Sequence, residues 1–239
     1  MAFGTASSAI CEAAVTIDRR QLIVCAGLIA VLILSAVLRL SDNQPGLSLP
    51  GSTLATPLYI GGTLAAAILL IRQGVDFQRM GFGPRLRWRH LFLGLLGIVV
   101  LQIGAELLDP IWSHIFGAPR GLQRFAKIEG SMPTYIGLLA FSWTFAAFGE
   151  EIAFRIVLLA GLTSALGGRK TARVIAVIFQ AILFGLVHLY QGPTGVCAAT
   201  VNGLIYGVLT IAGRGAIWPA AIAHGGANTI GLTMLYLGM

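Results

Sequence analysis

Six polar side chains stand inside long apolar runs in the C-terminal half of the sequence. Glu150, Glu151 and Arg155 share one run, His188 lies in a second, and His224 and Asn228 lie in a third. A carboxylate with a neighbouring histidine can deprotonate a water molecule. A second imidazole and an amide can donate hydrogen bonds to the oxyanion of a tetrahedral intermediate. The same Glu150, His188 and His224 set is also a ligand set for a divalent metal such as zinc, which would acidify a bound water. Either arrangement hydrolyses an acyl bond.

Spacing separates the roles. Glu151 and Arg155 are four residues apart with the acid first, the favoured order for an ion pair on a helix. Their pairing leaves Glu150, about 100° around the helix, to face elsewhere. His224 and Asn228 are also four apart and share a face, and Gly225, Gly226 and Ala227 between them predict a slim helix whose backbone another chain or a substrate can approach closely. Counted from the inner ends of their helices, Glu150, His188, His224 and Asn228 lie about 8 to 15 residues deep, or roughly 12–22 Å. Four polar groups from three helices thus share one slab of the membrane. An isolated intramembrane histidine is as often a helix–helix hydrogen bond as a catalyst; it is the combination that points to chemistry.

The elements that must position these groups are membrane helices. The chain has 239 residues, 56% hydrophobic and only 10% charged, with a mean hydropathy of +0.85. A soluble domain carries about 25% charged residues, and apolar blocks of about 18 or more residues read as transmembrane helices. The backbone must satisfy its own hydrogen bonds in hydrocarbon, which a helix does within one segment. The sequence therefore predicts an all-α, polytopic helix bundle with about seven spans, at 22–40, 54–71, 91–113, 134–165, 173–190, 195–212 and 216–238, with room for an eighth. The fourth is long enough to be tilted or broken near Gly149. Trp218-Pro219 suits the start of the last, proline being tolerated in a first turn.

The net charge of +7 follows from topology rather than from nucleic acid, since no soluble surface is long enough to carry a basic patch. Arg19, Arg20, Arg72, Arg79, Arg85, Arg87, Arg89, Arg169, Lys170, Arg173 and Arg214 flank the inner ends of the predicted spans. Arg39, Arg120, Arg124 and Lys127 fall outside. The bias places the N-terminus in the cytoplasm of a multi-pass protein, in the plasma membrane if the source is bacterial. Residues 1–20 read as a tail, 21–132 as N-terminal helices with a basic loop, and 133–239 as a catalytic helical core. Between the third and fourth spans, Leu122, Phe125 and Ile128 are spaced to face lipid on an interfacial helix. Glu106 and Asp109 read as interfacial groups ending the third span. Gly203 and Gly207 mark a close helix–helix contact. Cys11, Cys25 and Cys197 are dispersed and form no disulfide framework.

Glu-Glu-x-x-x-Arg at 150–155, Phe-x-x-x-His at 184–188 and His-x-x-x-Asn at 224–228, in this order on successive helices, resemble the CPBP intramembrane protease family. That family includes the type II CAAX prenyl endopeptidases and the bacterial Abi proteins. The three motifs span about residues 134–235, and the basic loop with its Gly81-Phe82-Gly83 is similar to the family's N-terminal half. The resemblance implies that Glu150 and His188 activate water, that His224 and Asn228 stabilise the oxyanion, and that Glu151, Arg155 and Phe184 support them. It implies a peptide or protein substrate, membrane-anchored or prenylated, and it extends to bacteriocin-immunity proteins. Ile156 departs from the glycine that many members carry after the arginine. The HExxH of a membrane zinc protease, the GxGD of a presenilin-type protease and the GxSG of a rhomboid are all absent. A small proton-coupled transporter also uses intramembrane Glu and His, but predicts repeat symmetry that this sequence lacks. A non-catalytic scaffold of the same fold is the third reading.

Overall fold

The computed structural model describes residues 17–41, 51–76 and 86–239, with the side chains of 51–53, 123, 124 and 126 excluded. Residues 1–16 of the expected tail, the polar 42–50 loop and the basic-loop residues Arg79 and Arg85 lie outside the described residues, while Arg19 and Arg20, expected in the tail, open α1. Among those described, all regular structure is helical: α1 (Arg19–Ser41), α2 (Gly51–Arg72), α3 (Trp88–Phe116), α4 (Met132–Phe141), α5 (Leu159–Ala165), α6 (Lys170–Leu186), α7 (Gly192–Ala212) and α8 (Trp218–Tyr236). Four stretches are long and apolar enough to cross a membrane: Arg19–Leu40, Leu54–Arg72, Trp88–Phe116 and Leu189–Ala212. The remaining helices hold Glu150, Glu151, Arg155, Gln180, His224 and Asn228. The segments that carry the candidate chemistry are therefore shorter or interrupted helices rather than long uninterrupted ones.

The packing is that of a bundle turned toward lipid. On α6 the outward side shows Val174, Ile175, Ile178, Phe179 and Ile182, while Ala172, Ala176, Val177, Gln180, Ala181 and Phe184 are buried. A helix apolar on every face belongs in a membrane, with small residues at its interface. Gly203 and Gly207 do serve a helix–helix contact. A Cβ on Gly203 would sit 3.1 Å from the Ala181 Cα and 3.0 Å from the Phe184 Cβ, and one on Gly207 would sit 2.8 Å from the Gln180 Nε2. α7 therefore lies with its backbone against α6.

Between α4 and α5 the chain does not break at Gly149. It continues as π-helix, over Ser142–Glu150 and then Ile152–Leu158, so the expected break is instead a change of winding. π segments concentrate at functional sites. This one packs against α8 through Ser142–Glu150 and against α2 through Ile152–Leu158.

Two further expectations need correction. Ile128 is 1% exposed, at the end of a 3₁₀ turn over Gln123–Ile128 that packs on α8. It is an inward anchor, because the tighter 3₁₀ turn changes which residues share a face. α6 ends at Leu186 and α7 begins at Gly192, so His188 lies in the connecting turn and not inside a continuous span to 190.

Two glycine substitutions separate close packing from helix propensity. Gly203→Val drives methyls into the backbone of α6 and is expected to lower the thermal midpoint in detergent by many degrees. Gly104→Ala, where nothing lies within 4 Å of the added Cβ, is expected to hold or raise it, alanine being favoured over glycine in a helix by about 1 kcal/mol. Thermal unfolding of both purified variants checks the pair.

Candidate active site

The site is built around a carboxylate that sequence spacing assigned to only one partner. Glu151 is fully buried, and its Oε2 lies 3.1 Å from the Nε of Arg155, as an i,i+4 ion pair. Its Oε1 lies 2.9 Å from the Nδ1 of His224. One carboxylate thus holds the arginine of its own helix and the histidine of α8.

Arg155, 1% exposed, is held on its other side as well. Its Nη2 donates to the Gly203 carbonyl at 3.2 Å, which also accepts from Gln180 Nε2 at 3.0 Å. The guanidinium lies 4.6 Å from the Phe184 ring centre and 5.0 Å from that of Tyr206, within cation–π range. Without a side chain at Gly203, α7 comes close enough for its carbonyl to receive both donors.

The two histidines are oriented in matching ways. His188 Nδ1 lies 2.7 Å from the Phe184 carbonyl. A carbonyl only accepts, so Nδ1 carries the proton and Nε2 keeps its lone pair. His224 is stacked on Tyr206, with ring centres 4.7 Å apart and planes at 15°, and its Nδ1 is engaged by Glu151. Phe184 touches both, at 4.8 Å from His188 and 5.9 Å from His224. In each ring Nδ1 is committed to the scaffold and Nε2 is left for other partners.

Glu150 differs from its neighbour. It is 8% exposed, and its Oε2 is buried with no hydrogen-bond partner. Such an atom is costly to leave unmatched, about 1–3 kcal/mol or more for a charged group. Glu150 and His224 both lie within Coulombic range of His188. The structure therefore places Glu150 and His224 in the electrostatic neighbourhood of His188. Asn228 is half-buried one turn beyond His224 on the same face of α8.

Among the described residues, no three His, Cys, Asp or Glu side chains gather as a metal-ligand set. Glu150, His188 and His224 accordingly do not fit a three-ligand centre in this arrangement. Nor do the small residues of α8 leave an open approach for a substrate. A Cβ on Gly225 would meet the Trp143 ring at 2.6 Å, and one on Gly226 would run into Ile98. They serve internal packing, reinforced by Trp143 Nε1 donating to Thr229 Oγ1 at 3.1 Å.

Four residues at the site were not singled out as part of it by sequence. Gln180 was detectable as one more polar residue in an apolar helix. Tyr206 gave no signal, a tyrosine in an apolar run being ordinary. Tyr59, on α2, is 4% exposed, with its ring 5.4 Å from that of Phe145. Arg39, which the charge pattern treats as an outer flank, lies over both rings, at 5.9 Å and 5.7 Å. Asp109, within the last third of α3, forms an ion pair with Arg120 at 3.3 Å that was not expected from the sequence.

The adjacent acids are expected to behave oppositely on neutralisation. Glu151→Gln strands the buried Arg155 and should cost about 3–5 kcal/mol, seen as a large drop in thermal midpoint in detergent. Glu150→Gln removes a carboxylate with an unmatched oxygen and should leave the midpoint unchanged or higher. Equal losses in the two variants would contradict this division.

Residues 132–230 match the family model described as Rce1-like, type II CAAX prenyl endopeptidase Rce1-like. The matched segment begins at the first residue of α4 and includes Glu150, His188, His224 and Asn228. It bears out the family resemblance carried by the three motifs. No curated protein matches the chain, and no solved structure does.

Proposed function

We propose that the protein is an intramembrane endopeptidase that hydrolyses a peptide bond with a water activated by Glu150 and His188. The family match over residues 132–230 supports a protease of the CAAX type. The observation that carries the mechanism is the buried, unpartnered Oε2 of Glu150 beside a histidine whose Nδ1 is already engaged. A water placed there donates one hydrogen to Glu150 and the other to His188 Nε2. As its oxygen attacks the carbonyl carbon, Glu150 takes the proton. His224 and Asn228 donate to the oxyanion that forms. Donation from His224 Nε2 needs the doubly protonated ring, and Glu151 supplies the opposing charge at Nδ1. Collapse of the tetrahedral species breaks the carbon–nitrogen bond, and the proton held by Glu150 passes to the leaving amine.

In this reading the seven expected spans form a multi-pass protein of the plasma membrane with a cytoplasmic N-terminus, and residues 133–239 form the catalytic core. The substrate is a peptide or protein segment anchored in or at the bilayer, with prenylated C-terminal peptides as the first class to try.

Purified protein in detergent or proteoliposomes is expected to cleave a fluorogenic peptide from a panel of prenylated and unprenylated sequences. Glu150→Ala and His188→Ala should each lower turnover by about 10²–10⁴-fold, the range of a proton-transfer group. Cleavage at the wild-type rate by both variants, or none by wild type across the panel, would overturn the protease reading.

A further inference from the structure

The geometry points to Tyr59 of α2 as a further catalytic residue, its hydroxyl donating a hydrogen bond to the water held between Glu150 and His188. This rests on the protease reading and assigns part of the site to a helix outside the matched segment 132–230. The Tyr59 hydroxyl is buried and has no hydrogen-bond partner, and the same is true of Glu150 Oε2. Two unmatched buried oxygens are each costly, and one bridging water satisfies both.

The elements bring the two groups into one region. Tyr59 packs its ring on Phe145, which lies five residues before Glu150 in the π-helical stretch. In a π-helix residues i and i+5 are joined by the backbone hydrogen bond and so lie on neighbouring turns of the helix. α2 also packs directly on the next π stretch, Ile152–Leu158. Glu150, Arg39 and Arg155 all lie within Coulombic range of Tyr59. Arg39 lies over the Tyr59 and Phe145 rings, so the phenol is held from both sides and its hydroxyl has little freedom.

The hydrogen-bond inventory of the water then closes. Its two hydrogens go to Glu150 Oε2 and His188 Nε2. One lone pair accepts from the Tyr59 O–H, and the other is aimed at the substrate carbonyl. Removing the hydroxyl leaves the water free to rotate about its two donor bonds, which lowers turnover more than binding.

Tyr59→Phe deletes the hydroxyl and keeps the ring packing. With the full chain and a fluorogenic peptide that wild type cleaves, kcat should fall at least about tenfold, below the loss from a proton-transfer group. KM should stay within about twofold if the hydroxyl acts on the water alone, with the thermal midpoint unchanged. Tyr59→Ala, which also empties the site beside Phe145, should lose both turnover and thermal stability. If Tyr59→Phe turns over like wild type while Glu150→Ala is inactive, the Tyr59 assignment fails and the protease reading stands. If wild type cleaves nothing, the protease reading fails, and with it the role for Tyr59. A high-resolution experimental structure gives an arm independent of cleavage. A water within hydrogen-bond distance of both the Tyr59 hydroxyl and Glu150 supports the assignment; a direct Tyr59–Glu150 hydrogen bond, or a dry gap, overturns it.

Discussion

Everything at the site hangs on one buried carboxylate. A charged side chain among apolar helices costs at least about 2.5–3.5 kcal/mol, and Glu151 and Arg155 are both fully buried. Their mutual attraction offsets that cost only because further groups complete the set. Arg155 gains the Gly203 carbonyl and two aromatic faces, and Glu151 gains the His224 ring. The cluster ties the π-helical run to α7 and α8 and, through Phe184, to α6. A structural ion pair and the orientation of a candidate catalytic histidine are thus one interaction.

Two consecutive glutamates are consequently unlike. Glu151 has both oxygens facing cations or an imidazole, and its negative charge is matched where it stands. Glu150 points away from this cluster and retains a buried oxygen with nothing to bond. In a low-dielectric interior a satisfied polar group rigidifies the fold and an unsatisfied one is the exception that calls for an explanation. Here the neighbouring imidazole, with its Nδ1 engaged and its Nε2 left over, supplies the explanation.

Much of this was legible beforehand, where the information is local. The Glu151–Arg155 pair follows from a spacing of four, and a close helix–helix contact on α7 follows from Gly203 and Gly207, though not that α6 is the partner. The Glu151–His224 contact joins residues 73 apart on different helices, and no period within one helix reports it. The apolar run continues through Leu189 and Tyr190 to Gly192-Pro193, so the sequence reads as one span there and hides the helix end at Leu186. Gly225 and Gly226 were legible as close-approach positions, but not that Trp143 and Ile98 fill them. Arg39 was counted as a flanking charge because charge patterning assigns a side of the membrane and says nothing of which rings a side chain lies over.

The π winding is what allows one stretch of chain to serve three neighbours. In an α-helix, Phe145 and Glu150 would sit more than a turn apart and diverge around the axis. With i→i+5 hydrogen bonds they come closer around the axis, and the ring of Phe145 also meets Tyr59 of α2. Glu151, the next residue, is then turned toward α8, where His224 waits on a helix brought close by Gly225 against Trp143. The residues after it carry Arg155 back into the α6–α7 contact. A regular α-helix would keep the i,i+4 ion pair but set Phe145 and Glu150 farther apart around its axis. The altered winding therefore bears on the side of the helix that meets α2 rather than on the ion pair.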